Sequence, residues 1–296
     1  MTKILVTGAT GPLGMGVIKH LVTKMSAKQV FALARTEEKA APLKALGVNV
    51  RIGDYDDYDS LVDAFQGIDK LYMVSNSDVT KRFKQQDNVV DAAIESGIGY
   101  IVYTSYSRNN EFEDSPIRAV VVGHLNTEAR LKESGIAYTI LEHGMYADLI
   151  PILAGTEVLA HRLIYFPAGD GKASMVLRAD LAKAGAIILL DESGKFNNKS
   201  ITLAGSTALS WSDVAGLIAS ITDLPIKYVS PKVEEYTKTL INTGVPAEYA
   251  TFFANVGKAM KADEFGTTSS TLEEVLGHRA TPIRNFLMEV YGKNKN

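Results

Sequence analysis

Ile4-Leu5-Val6-Thr7-Gly8-Ala9-Thr10-Gly11-Pro12-Leu13-Gly14 is the stretch that decides the fold. A short apolar run ends in three glycines spaced Gly-x-x-Gly-x-x-Gly, and a helix-compatible segment follows at once. Gly8 permits a tight turn. Gly11 lets backbone approach a diphosphate with no Cβ in the way, and Gly14 allows a helix to pack closely on its strand. The unpaired N–H groups of the first helical turn then face the phosphates. Gly8, Thr10, Gly11, Pro12, Leu13 and Gly14 are therefore expected to hold the diphosphate of a dinucleotide. The competing reading is an ordinary glycine-rich β-α turn. Its place between the opening strand and the opening helix favours the binding reading. No Gly-Lys-Ser/Thr follows, so the loop is not of the ATPase type.

Outward from that loop, short β-branched runs alternate with longer helix-compatible segments. Strands are expected over 4–7, 30–34, 48–52, 70–74, 100–104 and 137–141, and helices over 14–23, 37–46, 58–65, 85–96 and 126–133. Gly47, Gly67, Gly97 and Gly135 stand where those helices need C-caps. Mostly apolar strands joined by helices make an α/β fold, a doubly wound parallel sheet of the Rossmann type. After Leu141 the rhythm breaks. Residues 145–180 are loop-rich, 180–190 read as a helix and 200–203 as a further strand of the main sheet. Residues 206–296 read as helices and short extended pieces interrupted by Pro225, Pro231, Pro246 and Pro282. The expected division is a dinucleotide-binding domain of 1–144 plus 181–205. A smaller C-terminal lobe of 145–180 plus 206–296 would cover the strand ends and bind the substrate.

The tip of the second strand chooses the dinucleotide. An acidic residue there would bind the ribose hydroxyl of NAD. Here the strand runs into Arg35, whose guanidinium can bond a 2′-phosphate bidentately, with Lys39 one turn on. The cofactor read from the charge is NADPH; the bland alternative is a solvated surface arginine. Other positions follow later strands, where ligands of open α/β sheets sit. Asp54 and Tyr55 would border the adenine. Ser75, Asn76 and Ser77 follow the fourth strand, Thr104 and Ser105 the fifth, and Glu142, His143 and Gly144 the sixth. For each of these a loop or cap role competes with a role at the cofactor.

Bulk properties narrow the classes. A net charge of -3 with both signs dispersed gives no nucleic-acid or membrane footprint. No cysteine is present, which removes disulfides, thiol nucleophiles and cysteine-ligated metals. The apolar runs are too short to span a bilayer and no signal peptide is legible. A cytoplasmic protein acting on a small molecule is expected, with a homodimer allowed. The acidic run from Asp54 to Asp59 lacks calcium-loop spacing and contains a helix N-cap, so no metal is expected.

Further stretches carry a resemblance. They are Ile4 to Gly11, Gly53-Asp54-Tyr55, Tyr103-Thr104-Ser105, His124 to Glu128, Ser134 to Leu141 with Gly144 and Tyr146 after it, Ala168 to Lys172, Arg178-Ala179-Asp180 and Leu203-Ala204-Gly205. Together they span nearly the whole chain, which resembles the NmrA-like branch of the atypical short-chain dehydrogenases/reductases. The resemblance implies NADPH as cofactor, a C-terminal lobe over the nicotinamide end, and quinones or related two-electron acceptors as substrates. Where ordinary short-chain dehydrogenases carry Tyr-x-x-x-Lys, this chain reads His124 to Glu128. Two other Tyr-x-x-x-Lys matches, Tyr228 to Lys232 and Tyr291 to Lys295, are read as chance. Loss of the dyad fits electrophilic acceptors that need little acid catalysis and are served by positioning over the nicotinamide. His124 is read as a proton donor or polar wall, or as a residue at a helix N-terminus satisfied by backbone. Tyr146 is read as a stacking surface or a core aromatic. The branch has Asn before the glycine of the sixth strand and its quinone reductases carry Arg before that; here stand His143 and Glu142. Some NmrA-like members are dinucleotide-binding regulators, so a redox sensor without turnover is the second hypothesis.

Overall fold

The computed structural model describes residues 1–76, 78, 80–109 and 113–292. Seven strands form one sheet: β1 (Ile4–Val6), β2 (Val30–Ala34), β3 (Asn49–Ile52), β4 (Lys70–Met73), β5 (Tyr100–Tyr106), β6 (Ala137–His143) and the strand Lys199–Leu203. Their order across the sheet is Lys199–Leu203, β6, β5, β4, β1, β2, β3. Every neighbouring pair is parallel. Chain order reverses at β1, between β2 and β4, and the ligand crevice of a doubly wound sheet opens there.

Both faces of the sheet are buried, and the strand period of two divides the side chains between them. Ile4 and Val6 of β1, Tyr72 of β4 and Val102 of β5 point to one side. There they meet α1 (Pro12–Leu21) and the helix Arg178–Leu190 through Val17, Ile18, Leu21, Leu181 and Leu189. Leu5, Leu71, Met73, Ile101 and Tyr103 point to the other. They meet α3 (Tyr58–Phe65), α4 (Arg82–Glu95) and α5 (Arg118–Glu133) through Leu61, Phe65, Val89, Val90 and Leu131. Between β2 and β3 runs α2 (Glu37–Lys44), capped by the Thr36 hydroxyl. The four glycines expected to end helices all take positive φ.

One helix begins much earlier than its sequence implies. α5 starts at Arg118 rather than at 126, so its first two turns include Val120, Val121 and Val122. Valine disfavours helix only by tenths of a kcal/mol, and burial of Val121 and Ile117 against Ala259 outweighs that.

Residues beyond β6 build a separate core. Phe166 packs on Trp211 at 5.0 Å and edge-on to Tyr236 at 5.7 Å. The helices Trp211–Thr222, Val233–Asn242, Ala247–Lys261 and Ile283–Tyr291 close around them. Fully burying aromatics of this size stabilises by roughly 1.5–3 kcal/mol each. The short helix Thr271–Leu276 leaves this core: Leu272 and Leu276 are buried beside the helix Arg178–Leu190, in the cluster with β1. Among the described residues, no helix is long and apolar enough to cross a membrane.

Candidate active site

The loop after β1 has the shape of an anion cradle. Gly8 holds φ +57°, and a Cβ there would lie 2.9 Å from the Val74 Cβ. A Cβ on Gly14 would lie 2.5 Å from the Gly8 carbonyl oxygen, closer than any side chain tolerates. Gly11 donates its N–H to Gly8 O at 3.0 Å and takes the N-cap position of α1. Pro12 follows at the first helical position, and no side chain caps this terminus. The Leu13 side chain belongs to the core, and Leu13 and Gly14 present only N–H groups to the crevice. Thr10 and Pro12 are exposed at its lip. These features fit a diphosphate. Gly14→Ala is expected to lower unfolding stability by about 1–3 kcal/mol and to weaken NADPH, because the loop must shift to admit the methyl. Chemical denaturation and cofactor titration check both; a variant with unchanged stability would contradict the close approach.

Arg35 directly follows β2, is exposed, and has no hydrogen bond or ion pair among the described residues. It is free to meet an anion. Lys39 is exposed on α2 just beyond. Asp54 and Tyr55 follow β3, with other engagements. Asp54 Oδ1 accepts the Asp56 N–H at 3.0 Å, tightening the turn into α3. The Tyr55 hydroxyl reaches Thr7 Oγ1 and the Val74 carbonyl (2.9 Å), so it ties β1 to the end of β4.

The residues after β4 and β5 form one polar layer. Thr104 Oγ1 accepts the Ser75 N–H at 2.8 Å. Asn76 accepts the N–H of Asp78 through Oδ1 (3.1 Å), donates to Gln85 through Nδ2, and gives its carbonyl to Arg82 Nε at 2.8 Å. Asn76 thus orders the loop into α4. Ser77 lies outside the described residues. Ser105 Oγ donates to Glu128 Oε1 at 2.6 Å, and Arg108 grips the same carboxylate with both nitrogens, at 3.0 and 2.9 Å. Both side chains of that pair are under a tenth exposed.

His124 sits in the second turn of α5, not at a helix terminus, and its partner is a side chain rather than backbone. Its Nδ1 lies 2.7 Å from the Tyr103 hydroxyl, which accepts from Gln86 Nε2 at 3.2 Å. The Tyr103 hydroxyl also lies 3.4 Å from Gln86 Oε1, but Nδ1 at 2.7 Å is the nearer acceptor, and a proton donated there leaves the proton of a neutral imidazole on Nε2. Burial pushes its pKa well below the usual value, helped by the nearby charges of Arg82 and Arg108. The ring lies between Tyr103 and Tyr106, at 5.9 and 5.2 Å. Tyr106 also faces Phe265 at 6.4 Å, and its buried hydroxyl has no partner among the described residues.

His143 ends β6 with 2% exposure, and burial lowers its pKa to about 3. Its Nδ1 lies 3.2 Å from the Tyr146 hydroxyl, and its Nε2 is buried with no partner among the described residues. Glu142 points to the other face and accepts from Thr202 Oγ1 at 2.8 Å. Tyr146 packs against the main core, and the Arg178 guanidinium lies 4.4 Å from its ring centre. Burial raises its pKa to about 12, so it stays a neutral hydroxyl. The Tyr228 hydroxyl donates to the Phe166 and Gly169 carbonyls and Tyr291 lies in the C-terminal core, so neither chance match reaches the sheet.

The sequence reading missed Tyr103, Tyr106, Gln86 and Arg82. The four-residue spacing of His124 and Glu128, which puts both on one face of α5, was the available signal for a buried polar layer.

A parallel sheet that reverses order at a glycine cradle, with a bare helix start and a free arginine beyond the next strand, defines a Rossmann-type dinucleotide-binding protein. The chain belongs to the NmrA-like family, whose model matches residues 1–286. It is 32% identical over 291 residues to quinone oxidoreductase 2 of Escherichia coli, covering 98% of this chain and 99% of that one. The structure of the NADPH-dependent quinone oxidoreductase from that species complexed with NADPH superposes with a TM-score of 0.90 at 32% identity, over 97% of this chain and 99% of that one. The Citrobacter sp. triphenylmethane reductase complexed with NADP(H) gives 0.88, also at 32% identity, over 97% of this chain and 99% of that one. An NAD(P)H azoreductase of Xenophilus azovorans is 27% identical, covering 96% of each chain.

Proposed function

We propose that this chain is an NADPH-dependent oxidoreductase that delivers hydride to quinones or related electrophilic aromatic acceptors, without a Tyr-Lys dyad. One observation carries the reading: a free Arg35 after β2 and the bare cradle after β1 stand at neighbouring strand ends, and a buried, neutral His124–Tyr103 pair joins α5 to β5 in the same sheet. Relatives named for quinone, azo and triphenylmethane reduction support the same assignment. In this reading Leu13 and Gly14 N–H groups and the Gly8–Gly11 backbone hold the diphosphate, and Arg35 holds the 2′-phosphate. Thr104, Ser105 and Ser75 border the nicotinamide end. When bound, NADPH supplies the hydride from its nicotinamide ring.

The protein's own part is positioning and polarity. His124 offers Nε2–H as a neutral donor to an acceptor oxygen, and Tyr103 fixes that tautomer. Tyr106 and Tyr146 supply aromatic walls. The smaller lobe, 145–180 with 206–296, covers the acceptor. Its substrate is a small aromatic molecule, not a nucleic acid or a membrane, and its compartment is the cytoplasm.

Oxidation of NADPH, followed with a panel of quinones, tests the assignment. Turnover faster than the uncatalysed reaction is expected. Intact NADPH affinity with no turnover on any acceptor would overturn it in favour of a cofactor-sensing protein.

A further inference from the structure

Arg82 is the first residue of α4 and only 6% exposed. A buried guanidinium ordinarily has a carboxylate beside it. This one has none among the described residues. Its Nε donates to the Asn76 carbonyl at 2.8 Å, and Nη1 reaches the Val120 carbonyl at 3.5 Å. No partner of Nη2 is found among the described residues. The stem lies against α5 so closely that a Cβ on Gly123 would sit 2.8 Å from the Arg82 Cδ. The helix contact and the Asn76 carbonyl therefore hold the head in place.

The surrounding charges do not cancel it. Arg108 is matched by Glu128 in a two-pronged pair. His124 and His143 are neutral, both kept so by burial. Arg178 stands over Tyr146 with Asp148 beside it, the Asp148 carboxylate accepting the Arg178 backbone N–H at 2.9 Å. Asp78, on the same loop as Asn76, is exposed and engages Thr80 and Lys81. The Asn76 carbonyl belongs to the loop after β4, and Val120 and Gly123 lie in the turn of α5 that leads to His124, so these contacts set the guanidinium beside the His124–Tyr103 pair; Asp78 is the acidic group within electrostatic reach of it.

We propose that Arg82 is the cation that meets the oxygen of the reduced acceptor, and that it selects acceptors that become oxyanions over acceptors that are cations. The inference rests on the reductase reading above. A quinone that takes a hydride from the reduced nicotinamide dinucleotide gains two electrons and one hydrogen. It becomes a hydroquinone monoanion, the dinucleotide becomes its oxidised form, and one proton from water completes the hydroquinone. Negative charge appears on an oxygen during that step, and a fixed guanidinium in a desolvated site stabilises it. A cationic triarylmethane dye takes a hydride at carbon and becomes neutral, so the same guanidinium opposes its binding and gains nothing from its reduction.

The test compares kcat/KM for 1,4-naphthoquinone and for malachite green in the unaltered protein, Arg82→Met and Arg82→Lys, each with saturating NADPH. The quinone-to-dye ratio is expected to fall about tenfold or more in Arg82→Met and to stay within about threefold in Arg82→Lys. A merely structural role would lower both acceptors by one factor and leave the ratio unmoved, which overturns the inference. No turnover with either acceptor in the unaltered protein removes the reductase reading itself. If Arg82→Met does not fold, competition against naphthoquinone in the unaltered, NADPH-loaded protein decides. Benzenesulfonate should compete at least about tenfold more tightly than phenyltrimethylammonium; equal or inverse potency overturns the proposal.

Discussion

Arg35→Ala is expected to weaken NADPH by roughly 10- to 100-fold while leaving NADH within about twofold. The arginine is exposed and has no partner to lose, so its removal disturbs nothing in the folded chain. The change then reads only what the guanidinium does for the ligand. Bidentate contact with a phosphate combines two charge-assisted hydrogen bonds, each about twice as strong as a neutral one. NADH carries a hydroxyl at the same place and offers no charge to meet. Titration of both cofactors by tryptophan or nicotinamide fluorescence measures the two constants. Equal losses for NADPH and NADH would show that Arg35 faces solvent in the complex, and the 2′-phosphate assignment would fall.

A large effect of a different kind is expected in acid. His143 titrates near 3 in the folded chain and near the ordinary value of 6.5 once unfolded. Below pH 6.5 the unfolded state therefore binds a proton that the folded state refuses, so stability falls as pH falls. The loss runs from about pH 6.5 down to about 3, at about 1.4 kcal/mol per pH unit, on the order of 5 kcal/mol across the whole window. His124 acts in the same direction through the same cause, burial. His143→Phe should flatten this dependence by one proton's worth: a ring of similar size replaces it, Nε2 has no partner to lose, and the loss of the Nδ1 contact with the Tyr146 hydroxyl lowers stability without adding a titrating group. Urea denaturation at several pH values between 7.5 and 4.5 supplies the comparison. Parallel profiles for the two proteins would mean that His143 gains a proton without unfolding.

The fold was largely legible because its signals are local. The glycines at 8, 11 and 14 carry their reason in their own backbone, and β1, the part of β4 after Lys70 and the first half of β5 bury apolar side chains on both faces of the sheet. The candidate site was legible only as positions. Ser75, Asn76, Thr104, Ser105 and His143 do stand at strand ends, but their partners are far apart in sequence. Tyr103 and His124 are 21 residues apart, and only the docking of α5 on β5 brings hydroxyl to imidazole. Arg82 sits in the polar stretch Thr80-Lys81-Arg82-Phe83-Lys84, which reads as a solvated helix face; its burial follows from a glycine on the neighbouring helix. The first half of α5 was hidden by the successive valines Val120, Val121 and Val122, whose strand preference yields to tertiary packing.

The return of Leu272 and Leu276 to the sheet side has a consequence for how such proteins diversify. The chain leaves the sheet after β6, comes back for the helix Arg178–Leu190 and the edge strand, departs again, is pinned by Thr271–Leu276, and departs once more with Ile283–Tyr291. No single excision frees either body intact. A chimera that borrows the acceptor pocket of another reductase must therefore exchange several separate inserts at once and keep that late clasp, or the grafted part will have nothing to hold it over the crevice.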